Sequence, residues 1–338
     1  MLISPAVLAL NGVSFTVTLL LLMAAGFGLQ VLRHWDITSG SERQLELERR
    51  TYLISTLVTW CVAAAVISLL LFVYNAEQMA TQFVGAMCAT GVLNAHPMGW
   101  PTLFLKILVF FAGAAWLLLN RLDNQAPDYP LVRVKYGLLL VLLPLVALEA
   151  GVQIRYFLGL NPDVITSCCG SLFTAEGEGV AATVAGLDPA WSLVALYGSG
   201  LAVLGAGLIH GWRARSGGSG AGFALSGGLA FVAALAAIVS CVALYIYEHP
   251  HHHCPFCILK AGHGFVGYWL YVPLFAATAL ALGVGLISPW GRVPSLAAAV
   301  RADGRRFTAL ALALFALFYG VATFAILTSN LTMQGVWW

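Results

Sequence analysis

The chain of 338 residues is 60% hydrophobic and only 9% charged, with a formal net charge of +2. An average soluble domain is about 25% charged, so the composition excludes an ordinary soluble globular protein. No basic stripe interleaved with aromatics is present, which excludes a nucleic-acid partner, and no nucleotide-binding Gly-rich loop is present.

The apolar residues come in blocks of about 20, long enough to cross about 30 Å of hydrocarbon. They predict an all-α integral membrane bundle, a single polytopic domain over residues 1–338 with no soluble domain. Eight transmembrane helices are expected at about 5–32, 52–75, 102–120, 136–159, 190–212, 222–247, 265–288 and 307–328. The opening MLISPAVLAL lacks a positive n-region and a small-residue cleavage site, so it reads as the start of a retained helix.

In chain order, the first connection, RHWDITSGSERQLELERR, carries Arg33, Arg43, Arg49 and Arg50. The second runs from Asn75 to Pro101 and holds Cys88, in GAMCATG, and His96. The third, NRLDNQAPDYPLVRVK, carries Arg121, Arg133 and Lys135. The fourth, from Leu160 to Pro189, holds the vicinal Cys168 and Cys169 in ITSCCGS. The fifth carries Arg213 and Arg215, and the seventh Arg292, Arg301, Arg305 and Arg306. Between them lies YEHPHHHCPFCILKAGHG, whose one cation apart from histidine is Lys260.

Cationic connections therefore alternate with nearly cation-free ones. Cationic loops stay cytoplasmic, so the expected topology is N-out and C-out across a bacterial inner membrane. All three cysteine loops then face the periplasm. Of the seven cysteines, five lie in those loops; Cys61 and Cys241 lie in spans, where a lone cysteine ordinarily serves as a small packing residue.

Within the spans, Lys106, Glu149 and Arg155 are the charges to explain. Charged residues in a span face the bundle interior and pair, so Glu149 is expected opposite Lys106 or Arg155. A sharper reading gives these residues a polar cavity for a quinone headgroup, a proton or a cation. GSGLAVLGAG and SGGLAFVAALAA, in spans five and six, offer small-residue faces for close helix contact.

The sixth connection gathers five of the eight histidines and the pair Cys254 and Cys257 within 18 residues. Thiols on an oxidising face pair unless something keeps them reduced. Five outer cysteines fit two structural disulfides with one left over, for instance Cys88 with one of the vicinal pair. Yet Cys-x-x-Cys closes too short a loop to gain much from chain entropy. It is better suited to exchange, in which one thiolate attacks a disulfide and its neighbour resolves the product. The adjacent His251, His252 and His253, and the start of span seven, are expected to favour the thiolate.

CPFCILK resembles the motif of the quinone-dependent disulfide-generating membrane oxidoreductases, and its place at an outer helix end is similar to that in the vitamin K epoxide reductases. The resemblance covers about 30 residues around the hairpin that joins span six to span seven, with Cys254, Cys257 and Lys260 matching. It implies exchange at Cys254 and Cys257, a quinone acceptor near Lys260, and relay or resolving thiols among Cys88, Cys168 and Cys169. Lys106 and Glu149 are further candidates for the cofactor environment. Those families are four-helix bundles with a second cysteine pair. Here there are eight spans, and the candidate second pair is vicinal.

The residues leave other functions open. His252, His253, Cys254 and Cys257 supply two imidazoles and two thiolates, a set suited to Zn or Cu. Haem is disfavoured, because Ile258 rather than a histidine follows Cys257. Three functions remain: thiol–disulfide redox between an outer-face partner and a membrane electron carrier, outer-face soft-metal binding or transfer, or a non-catalytic membrane subunit beside partner chains in a respiratory or transporter complex. The sequence does not decide whether the protein is an enzyme.

Overall fold

The computed structural model describes residues 4–166, 180–213 and 217–332. Every regular element among them is helical. Eight helices are long and apolar enough to cross a membrane, as befits a multi-pass membrane protein. In chain order the helices are α1 (Pro5–His34), α2 (Glu42–Met79), the short α3 (Ala89–Asn94), α4 (Gly99–Asp123), α5 (Val132–Gly159), the short α6 (Val180–Ala185), α7 (Pro189–Arg213), α8 (Gly217–Ala237), α9 (Ala243–Tyr247), α10 (Val266–Ile287) and α11 (Ala297–Thr328). A π-helical turn, Ile238–Val242, joins α8 to α9, so the two form one span. Large apolar side chains such as Leu22, Trp60, Leu201 and Phe324 point outward, as a lipid-facing surface requires.

Several helices outrun the apolar blocks that announce them. The second begins at Glu42 rather than near residue 52, because Glu, Gln, Leu and Arg are good helix formers. Its first turns are fixed by the Ser41 hydroxyl, which accepts from the Gln44 amide at 3.3 Å, and by an Arg50–Glu46 pair one turn apart. The last helix likewise starts at Ala297, within the stretch assigned to a connection.

The chain divides into two compact units. The first comprises Met1–Met79, Leu93–Pro162 and Trp290–Val300. In it α1, α2, α4 and α5 form a closed ring, each packed on two neighbours. Buried Trp116, Tyr136, Leu139 and Val58 fill its centre.

Two ion pairs are buried in this unit. Lys106 Nζ lies 2.7 Å from Glu149 and also donates to Ser68 Oγ at 3.1 Å. Arg155, the other partner considered for Glu149, is exposed. The second pair joins Lys135 to Asp123 at 2.7 Å, with both side chains fully buried. Lys135, counted above as a loop cation, is thus an interior residue of α5. Asp123 also accepts the Leu131 amide at 2.7 Å and so closes the connection from α4 to α5.

The second unit comprises Ala80–Val92, Asp163–Pro289 and Arg301–Trp338. Here α8 packs against both α7 and α10. Close approach is made possible by absent side chains. A Cβ on Gly227 would meet Ala281 of α10 at 2.8 Å, and one on Gly200 would meet the Tyr319 ring of α11 at 2.8 Å. The small faces of α7 and α8 therefore serve α11 and α10 as well as one another. Tyr197 and Thr323 share a hydrogen bond of 3.0 Å between α7 and α11.

Candidate functional site

The second unit carries the thiols. Residues 248–265, between α9 and α10, form a compact loop instead of a continuation of either helix. Glu248 closes α9 in the left-handed conformation, and Gly264 and Phe265 are both left-handed (φ 62° and 56°). Two consecutive left-handed residues cannot belong to an α-helix, so α10 starts only at Val266. Cys257 opens a 3₁₀ turn, Cys257–Leu259, that precedes α10 in the chain.

Two tyrosine hydroxyls pin the CPFC backbone. Tyr247 OH donates to the Cys254 carbonyl at 2.5 Å, and Tyr271 OH donates to the Pro255 carbonyl at 2.8 Å. Within the loop the Leu259 amide donates to Phe256 O and the Lys260 amide to Cys257 O. Sequence reasoning missed both tyrosines, because a tyrosine near a span boundary carries the same signal as any interfacial anchor.

The Cys88 loop is brought against this turn. Cys88 Sγ lies 3.4 Å from Cys254 Sγ, and Thr90 Oγ1 lies 3.2 Å from the same sulfur. The sulfurs of Cys88, Cys254 and Cys257 all lie within 4.8 Å of one another. All three are held as thiols and all are buried; Cys88 and Cys254 are wholly inaccessible and Cys257 is 6% exposed. The Lys260 ammonium donates to the Met87 carbonyl, which ties the end of CPFCILK to the residue preceding Cys88. Thr90 carries no distinguishing sequence signal, since one hydroxyl in an apolar loop is commonplace.

Cys168 and Cys169 lie outside the described residues. The chain leading to them does not. The Thr166 amide donates to Val84 O at 2.9 Å, so a residue two before Cys168 is tied to the Cys88 loop. Gly85 makes that contact possible. It adopts φ +85°, and a Cβ there would stand 2.2 Å from the Thr166 carbonyl oxygen. Only glycine combines that backbone with that approach.

The histidines take separate places. His253 is buried, and its Nδ1 lies 2.9 Å from Val239 O in the π-helical turn. A carbonyl can only accept, so Nδ1 carries the proton. Burial lowers the His253 pKa below the ordinary imidazole value, and the neighbouring His251 and His252 push it the same way, against the Val239 hydrogen bond. The His252 and His263 rings stand edge-on to Tyr247, with centroids 4.2 and 4.7 Å away. Burial, then His252 and Lys260, lower the His263 pKa. His249 and His251 are exposed. Of the four residues considered as a metal set, Cys254 and Cys257 belong to the three-sulfur cluster, while His252 and His253 lie outside it. His96 falls in the first unit, where its Nδ1 accepts the Met98 amide at 3.1 Å.

Lys260 belongs to the thiol loop of the second unit, whereas Lys106 and Glu149 bind one another in the first. Comparison with family models, with curated proteins and with solved structures returns no match.

Proposed function

We propose that the protein is a membrane thiol–disulfide redox protein that exchanges electrons between an outer-face protein partner and a membrane carrier of the quinone class. The observation that carries this reading is the 3.4 Å approach of Cys88 Sγ to Cys254 Sγ beside Cys257. Thiol–disulfide exchange needs an attacking sulfur, an attacked sulfur and a leaving sulfur close together; Cys88 and Cys254 are at contact distance and Cys257 lies within 4.8 Å of both.

In the exchange step a Cys254–Cys257 disulfide is attacked at the Cys254 sulfur by the Cys88 thiolate. A Cys88–Cys254 bond forms, the Cys254–Cys257 bond breaks, and Cys257 leaves as a thiolate. Return attack by Cys257 on Cys254 reverses the step. Electrons are conserved within the three sulfurs, so turnover needs an external acceptor and an external thiol. The outer-face partner supplies the thiol pair, and Cys168 and Cys169 are the residues assigned to meet it.

A bound quinone supplies an acceptor of two electrons and two protons. Lys260 suits its carbonyl, because its ammonium lies at Met87 beside the cluster and is only partly covered. Lys106 and Glu149, spent on each other, are assigned to holding the first unit together. The reading places the cysteine loops on the periplasmic face of a bacterial inner membrane, with both termini outside. The alternation of cationic connections supports that placement. Of the alternatives, a non-catalytic subunit gives the buried thiol cluster nothing to do.

The test is Cys257→Ser. Without a leaving or resolving sulfur, Cys254 should accumulate in a disulfide, with Cys88 or with a captured partner, visible by non-reducing peptide mass spectrometry. His253→Ala should change only the rate. A Cys257→Ser protein in which Cys254 stays reduced under an oxidant that oxidises the wild type would contradict the reading.

A further inference from the structure

The same three sulfurs have a second chemical capacity, and it depends on their being reduced. Three ligands placed around one ion in a plane, each at about 2.3 Å, stand about 4.0 Å from each other. The sulfurs of Cys88, Cys254 and Cys257 lie within 4.8 Å of one another, and the Cys88–Cys254 separation is 3.4 Å. The trigonal value lies within that range, so one ion fits among them once the Cys88–Cys254 pair opens by about 0.6 Å.

The donor set also selects the ion. Three sulfurs in a buried pocket are soft ligands, which favour copper(I) and zinc over harder cations. Structural zinc takes four ligands in a tetrahedron. The cluster among the described residues offers three, with neither His252 nor His253 in it. Copper(I) tolerates three-coordination and carries one charge. The Thr90 hydroxyl, a neutral and hard donor, lies 3.2 Å from Cys254 Sγ.

The cluster is also rigidly supplied. Cys254 is fixed through its own carbonyl by Tyr247, and Cys88 through the Lys260 contact to Met87. A ligand set whose backbone is held in place loses little entropy on binding. The Met87 side chain, a soft thioether next to Cys88, is 72% exposed, which offers the ion a first landing point at the surface.

We infer that Cys88, Cys254 and Cys257, when reduced, form a three-sulfur site for a soft monovalent cation of the copper(I) class, and that its occupation blocks disulfide exchange at the same residues. The inference builds on the exchange reading by adding its regulation. Each sulfur that ligates gives up its proton. No electron moves, because both the copper and the sulfurs keep their oxidation states. A sulfur whose lone pair is held by the ion cannot attack a disulfide.

The test is a titration of the reduced, anaerobic, full-length protein in detergent with copper(I), against a chelator of known affinity, with copper X-ray absorption on the loaded sample. The expected result is one copper per chain with three sulfurs at about 2.3 Å, and at least a tenfold loss of affinity in Cys88→Ser. Two sulfurs in the wild type, nitrogen donors in place of a third sulfur, or an affinity unchanged by Cys88→Ser would overturn it. Because the wild-type spectrum alone is decisive, a variant that folds poorly does not protect the inference. The exchange reading is judged separately, on metal-free protein, by the disulfide that Cys257→Ser accumulates. Absence of copper binding with that disulfide present rejects the metal site and leaves the exchange; copper binding without it rejects the exchange and the proposed blocking, and leaves the three-sulfur site.

Discussion

Cys88 and Cys254 are 166 residues apart in sequence, and their sulfurs lie 3.4 Å apart. A disulfide needs about 2.05 Å, so bond formation requires a movement of little more than an ångström, without rearrangement of either loop. Mild oxidation of metal-free protein should therefore join Cys88 to Cys254, or Cys254 to Cys257, before it modifies Cys61 or Cys241. Peptide mapping under non-reducing conditions reads the order directly.

Gly85→Ala should disturb this relationship at a distance. The added methyl group meets the Thr166 carbonyl oxygen, and the backbone there is left-handed. A backbone contact of that kind cannot be relieved by a rotamer change. The Cys88 loop should shift, and Cys88, now wholly buried, should become reactive to a membrane-impermeant maleimide at least several-fold faster than in the wild type. Gly12→Ala, where a Cβ meets nothing within 4 Å, should leave the rate as it is.

The two ion pairs of the first unit should behave as buried pairs. Removing one charge strands the other in a low-dielectric interior, at a cost of about 3–5 kcal/mol. Lys106→Met or Glu149→Gln alone should lower thermal stability in detergent, and the double change should recover most of the loss. Lys135→Met and Asp123→Asn should follow the same pattern. Asp123 also accepts the Leu131 amide, a bond that an asparagine oxygen can keep, so Asp123→Leu should be less fully rescued than Asp123→Asn.

Acidification should loosen the loop above the thiols. The folded-state pKa values of His253 and His263 lie below the usual 6.5. The unfolded loop therefore binds more protons than the folded one, and stability rises with pH. The contribution is fully present above pH of about 6.5 and is lost as the pH falls toward the folded values. Hydrogen-exchange protection factors of residues 249–264, each rate corrected for the intrinsic exchange rate at its own pH, should be high at pH 7.5 and lower at pH 5.5. His253→Gln should remove part of that dependence.

The spans were legible because an apolar block of membrane length has few other uses. Their ends were not. Glu42 to Arg50 continue α2 since charged residues with good helix propensity satisfy a helix as well as apolar ones do. Lys135 read as a loop cation because its partner Asp123 lies across the connection from α4, a pairing that no local pattern announces. The cysteine loops were legible as a group from their lack of arginine. That Cys88 rather than a histidine completes the cluster around Cys254 and Cys257 is a matter of tertiary packing. The left-handed pair Gly264 and Phe265, which keeps Cys257 off the start of α10, could be suspected only at the glycine.

The measurement that bears most directly on the central claim is the disulfide state of metal-free Cys257→Ser during turnover with an oxidant, read by non-reducing mass spectrometry. The account predicts that Cys254 accumulates in a disulfide, with Cys88 as its partner within the chain or with a captured outer-face protein. A fully reduced Cys254 under conditions that oxidise the wild type would contradict it.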